Sequence, residues 1–179
     1  MTGAEIREAA QLNLGVTINS AVSLKYLNEA VEKIVESYKE KAGKIATKSI
    51  AVTDYDDYYE LDADMVKVVG VYNSSGGWIN SKSYAVENDT IKMDYKDTFT
   101  VKYRKYPDAL TVETSTPDIP RQFHRAIAAF VSYKEALRLY GSSHSDTGAF
   151  YKMYYSDVKS AAAMITTRKP RHIKAAFND

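Results

Sequence analysis

The sequence predicts an α+β fold, a helical bundle of about four helices with a mostly antiparallel β-domain, sandwich or partial barrel, inserted into it. Three observations predict this. Apolar residues recur in steps of three and four near both ends of the 179-residue chain, as on one face of a helix. Between about 45 and 106 the period shortens to two, in short runs rich in Val, Ile, Thr and aromatics. The clusters "NSSGG", "END" and "KD" punctuate those runs, as hairpin turns do. Residues 1–43 and 107–179 therefore group as a helical bundle with a C-terminal arm, and 44–106 as the insertion.

Each element has its own signal. Residues 4–14 form a short helix with Ile6, Ala9, Ala10 and Leu14 apolar. Asn19 or Ser20 caps a second helix over 20–42. Its stripe is Leu24, Leu27, Val31, Ile34 and Tyr38, and Gly43 stops it. In the insertion, "SIAVT", "VKVVGVY", "GWINSKSYAV", "DTIKMDY" and "TFTVKYRKY" read as strands. In the last of these Phe99, Val101 and Tyr103 alternate with Thr100, Lys102 and Arg104, one face inward and one face wet. Pro107, Pro117 and Pro120 keep the crossing segment extended. Asp118 is placed to cap a helix over 118–140, with Pro120 in its first turn. Its stripe runs Ile119, Phe123, Ala126, Phe130, Tyr133, Leu137 and Tyr140; Phe130 and Leu137 are expected against Leu27 and Ile34. "GSSHSDTG" turns the chain into a last helix over 146–166, with Phe150, Tyr154, Val158, Ala161 and Ile165 inward.

Composition narrows the function classes. A hydrophobic fraction of 45% supports a packed core, and a net charge of +1 gives no global field for nucleic acid or anionic membrane. The absence of cysteine removes disulfides, thiol catalysis and cysteine-ligated metals, and fits a reducing compartment. The opening residues carry no signal-peptide apolar run, and no stretch approaches the roughly 20 apolar residues of a membrane span. The 15 tyrosines suit half-buried surfaces and protein interfaces, although tyrosine also suits ordinary strands.

No catalytic, cofactor or metal site is legible. The acidic run "TDYDDYYELDAD", residues 53–64, lacks the central glycine and terminal glutamate of a calcium loop, and reads as a solvated loop leading into a sheet. His124 follows the core position Phe123 and is expected at the edge of the bundle; His144 lies in a serine-rich turn and His172 in the tail. No nucleophile elbow or phosphate loop occurs, which leaves a small hydrolase without a motif. "VKYRKY" interleaves basic and aromatic residues as single-strand binding grooves do. Lys102, Tyr103, Arg104 and Lys105, with Tyr106, are thus an alternative nucleic-acid contact, although any half-exposed strand shows the same alternation.

"YYELDADMVKVVGVY", then the Tyr103-to-Pro107 strand end, then "DIPRQFHRAIAAFVSYKEALRLYG" and "FYKMYYSDVKSA" follow one another along residues 20–167. In that order they resemble the tailed-phage head-to-tail connector proteins, also called adaptor or head-completion proteins. Asp62 stands where members of that family often carry proline after the leucine. The resemblance implies a non-enzymatic virion protein without cofactors. It implies a homo-oligomeric ring, a dodecamer on the portal protein, bound on its far side by a neck, stopper or tail protein. DNA would pass through the ring's channel without sequence-specific binding, no membrane would be involved, and the protein would be made in the host cytoplasm and end in the neck of the virion.

The tail "TTRKPRHIKAAFND" holds Arg168, Lys169, Arg171 and Lys174, with His172 among them, and Pro170 interrupts any continuing helix. Ile173 and Phe177 are spaced to share one side of a helical turn. Such a segment suits an arm that orders on docking, with the apolar pair as anchor; a solubilising tail is the alternative. The resemblance points to the portal or an adjacent subunit as the docking surface.

Overall fold

Thr2 starts the first helix, α1 (Gly3–Leu14), through a capping box. Its hydroxyl accepts from the Glu5 N–H at 3.2 Å, and the Glu5 carboxylate accepts from the Thr2 N–H at 2.8 Å, so two otherwise orphaned donors are satisfied reciprocally. Gly15 closes the helix at φ 70°, a left-handed conformation that glycine adopts without steric cost. Asn19 then caps α2 (Ser20–Ser37), its side chain accepting from the Ala21 N–H at 2.9 Å. The computed structural model that shows these elements describes residues 1–165.

The expected helix over 20–42 is broken. Tyr38 leaves helical geometry at φ −133°, and a single turn, α3 (Lys39–Ala42), follows. No glycine or proline marks the break, where the Tyr38 ring lies 6.3 Å from that of Phe123. Six strands follow: β1 (Lys44–Ala51), β2 (Tyr59–Glu60), β3 (Met65–Tyr72), β4 (Tyr84–Glu87), β5 (Thr90–Met93) and β6 (Thr98–Lys105). They form two antiparallel three-stranded sheets, β1-β6-β3 and β2-β5-β4. Neither closes into a barrel. Ile50, Leu61, Val71, Ile91, Met93, Phe99, Val101 and Tyr103, drawn from both sheets, make one buried cluster. "GWINSKSYAV" is a strand only from Tyr84; residues 81–83 form a 3-10 turn. The short β2 lies within the acidic stretch read as a loop.

Gly43 joins helices to strands at close quarters. A Cβ there would stand 3.1 Å from the Lys105 carbonyl oxygen and 3.2 Å from the Arg104 Cβ. The crossing segment from 106 to 120 then lies on the N-terminal helices. Asn28 holds it through both backbone groups of one residue, donating to the Leu110 carbonyl at 3.0 Å and accepting the Leu110 N–H at 2.9 Å. The first two N–H groups of α1 donate to Ser115 and Glu113 carbonyls, each at 2.9 Å. Asp118 caps no helix; it pairs with Lys44 at 2.7 Å. A 3-10 turn, Arg121–Phe123, leads instead into α4 (His124–Tyr140) without a side-chain cap.

α4 is the central helix, packed on α1, α2 and α5 (Ser145–Met164). It buries Ala126, Ile127, Ala128, Ala129, Phe130, Val131 and Ser132 in one continuous run, with Arg125 exposed just before it. Phe130, Leu27 and Ile34 share the helical core cluster. Leu137 is only half-buried and Tyr140 is exposed: the last buried member of the cluster on α4 is Val131, and the end of the helix projects past it.

Candidate functional site

The residues of the basic strand, the alternative nucleic-acid contact, meet different surroundings in the fold. β6 is the middle strand of its sheet. Tyr103 is buried at 1% exposure and has no ring face to offer a base, and burial, with Asp62 beside it, pushes its hydroxyl up to about 12. Arg104 turns back to donate to the Gly43 carbonyl at 2.6 Å. Lys105 is held by Asp64 at 3.3 Å and Asp62 at 3.7 Å, and Asp64 keeps it charged above its ordinary range. Lys102 is half-buried beside them, and Tyr106 packs on the helical core.

Those pairs also account for the acidic stretch. Lys48 approaches Asp62 at 3.9 Å, and Lys92 approaches Asp56 at 3.5 Å. The Tyr59 hydroxyl ties the loop, accepting the Thr53 and Asp54 N–H groups at 3.0 Å each and donating to the Asp54 carbonyl at 2.9 Å. Among the described residues no three His, Asp or Glu side chains come together as metal ligands would.

His124 is not at the edge of the bundle. It is 3% exposed, beneath the chain's amino terminus. The terminal amine lies 2.9 Å from Nδ1 and can only donate, so Nδ1 accepts and Nε2–H donates to the Ile119 carbonyl at 3.3 Å. Burial, then the nearby amine, lower its basicity. His144 caps α5, its Nδ1 accepting the Asp146 N–H at 3.3 Å. His172 and the arm residues Arg168, Lys169, Arg171, Ile173, Lys174 and Phe177 lie outside the described residues.

A concavity lies elsewhere, between α2, α4 and α5. It is a cleft of about 680 Å³ walled by Tyr38, Phe130, Tyr133, Tyr151, Tyr154 and Tyr155. Phe130 and Tyr154 meet edge to face with centroids 5.0 Å apart, and the tilted rings of Tyr133 and Tyr151 are 5.2 Å apart. Burial, then Tyr151, pushes the Tyr154 hydroxyl up to about 12, so it remains a donor at neutral pH. Glu29, Lys33, Glu36 and Lys134 stand among the lining residues, with Lys134 bound to Glu29 at 3.0 Å. This arrangement suits the capture of a peptide segment, with ring faces for apolar or cationic side chains and hydroxyl tips for polar groups. Its sequence signal was the set Tyr151, Tyr154 and Tyr155, which share one side of a helix at three- and four-residue steps. Only Tyr154 of the three was read as an inward position.

A family model described as SU10 adaptor protein matches residues 1–174. The chain belongs to the SU10 adaptor protein family. No curated protein matches it significantly. Membership makes the chain a phage adaptor, a structural class rather than an enzyme class and a component of the virion. Adaptors act through contacts with other head and tail proteins, which directs attention to exposed rings rather than to a catalytic constellation. Among the described residues no helix is long and apolar enough to cross a membrane.

Proposed function

We propose that this chain is a subunit of the head-to-tail connector ring, seated on the portal and continuing the DNA channel toward a neck, stopper or tail protein. The family match over residues 1–174 is the observation that carries the reading. Exposed aromatics on two parts of the surface support it. Tyr140, Tyr151 and Tyr155 stand on the helical part, and Tyr55, Tyr58 and Tyr95 on the strand part; rings of this kind are enriched where proteins meet. On this reading the subunits form a homo-oligomeric ring, a dodecamer on the portal. The arm carrying Arg168, Lys169, Arg171, His172, Ile173, Lys174 and Phe177 docks on the portal. DNA crosses the channel without sequence-specific contact.

The test is to mix the purified chain with portal rings and image the product by electron microscopy. Density added as a ring beneath the portal is expected. A full-length chain that leaves the portal bare would overturn the reading. A chain ended after Thr167 is expected to fold and stay soluble but to lose this assembly; undiminished joining would remove the arm from the interface. Filter binding across salt tests the nucleic-acid alternative. Micromolar DNA affinity that falls steeply with salt would favour that alternative over the connector.

A further inference from the structure

We propose that the aromatic cleft between α2, α4 and α5 is the seat of the chain's own C-terminal segment, residues 168–179, which folds back onto it through Ile173 and Phe177. Tyr38, Tyr133, Tyr151 and Tyr154 line one concavity, so an occupant of the cleft meets ring faces and hydroxyl tips together. Its rings already attract cations: Lys134 sits 5.9 Å from the Phe130 centroid, and Lys159 sits 4.6 Å from that of Tyr155. An occupant should therefore bring apolar anchors, cationic side chains and backbone polar groups together. The segment "RKPRHIKAAFND" brings all three.

Position favours this occupant over any other segment. α5 forms one wall of the cleft through Tyr151, Tyr154, Tyr155 and Val158, and it ends at Met164. From Val158 to that end is only about 10 Å at the ~1.5 Å rise of a helix. Residues 166–179 can span about 45 Å when extended at ~3.3 Å each, far more than the return path requires. Pro170 prevents a helix from carrying the segment straight on. A tether this short gives the segment an effective concentration on the order of millimolar at its own cleft. Modest contacts then suffice, and a neighbouring copy competes poorly. On the rim, Glu36 is the carboxylate available to Arg168, Lys169, Arg171 or Lys174, because Glu29 already holds Lys134. Lys33 on the same rim limits the electrostatic share, so the rings and the apolar pair carry the contact.

The inference concerns the free subunit and does not depend on the connector reading. The chain has no cysteine, so a disulfide can report docking. With Glu36→Cys and Asn178→Cys in one chain, mild oxidation is expected to give a cross-link within the chain. It should form several-fold faster than in a control pairing Asn88→Cys with Asn178→Cys, Asn88 being in the β4–β5 turn. Adding Phe177→Ala should bring the rate down to the control. Equal rates for the two pairs, or a product that links two chains, would overturn the proposal. A second measurement is independent of cross-linking. A peptide of residues 168–179 should bind the chain ended after Thr167 saturably, and Phe177→Ala in the peptide should weaken it about tenfold. Absence of binding would also overturn the proposal.

Discussion

α4 and α5 lie against each other and share a seam of rings, yet they are built to opposite purposes. α4 is covered by three helices and buries a run of alanines around Phe130. α5 rests on α4 and the preceding 3-10 turn, and leaves Tyr151, Tyr155 and Met164 exposed at 50%, 53% and 70%. α5 thus displays large side chains where α4 hides small ones, although α5 also buries Ala161 and Ala162 and α4 displays Tyr140 at its end. Small residues let three neighbours approach one helix closely, whereas rigid rings with polar tips suit a surface that meets other molecules. In this pair, the long buried run marks the structural helix and the exposed rings the working one.

The largest effect should come from the centre of α4. Phe130→Ala should cost roughly 3–5 kcal/mol of stability by chemical denaturation, as deletion of a buried ring does; an unchanged midpoint would remove α4 from the core. Enlarging a buried alanine comes next. Ala129→Leu should cost about 1–3 kcal/mol through overpacking, while Ala149→Leu on the exposed side of α5 should be silent. Equal costs would erase the contrast between the helices.

A pH series sharpens it further. Burial depresses the basicity of His124 below its ordinary 6.5, so the unfolded chain takes up this proton first. Its contribution to stability is full above about 6.5 and is lost as the pH falls through the lower folded value. His124→Asn should flatten that part of the stability curve, measured by denaturation between neutral and mildly acidic pH. Tyr155→Ala on α5 should have the smallest effect on stability, within about 0.5 kcal/mol. Its effect should appear instead in binding to a head or tail partner, read by surface plasmon resonance, and retained binding would take Tyr155 out of the interface.

The alternation of periods made the helix–strand–helix order legible, and Phe99, Val101 and Tyr103 fell inward as their spacing required. What escaped the sequence depended on neighbours. "ESYKEKAG" contains no breaker before its glycine, so nothing local announces that the helix ends at Tyr38, whose ring meets Phe123 from far along the chain. His124 read as peripheral because two facing stripes account for one side of α4, and α1 covers another. Asp118 had the right residue type for a cap, but Lys44 stood closer. The aromatic cleft joins α2 to two helices far along the chain from it, and its rings separately resembled core and surface positions. Family patterns carried the functional reading, because an adaptor surface has no catalytic spacing to recognise.

The long loop closed by the helical core has a consequence for how the chain is made. Asn13 donates to the Ser132 hydroxyl at 3.2 Å across 119 residues of sequence, and Leu27 and Ile34 are buried in the same cluster as Phe130. The strands, by contrast, have all their ladder partners once Lys105 has been added. A chain leaving the ribosome therefore completes its sheets while its first two helices still lack the helix that covers them. The apolar stripe of α2 stays bare through that interval, a natural stretch for a chaperone to hold. Synthesis of α4 ends the wait, and α5 follows to complete the bundle, the last part of the molecule to close.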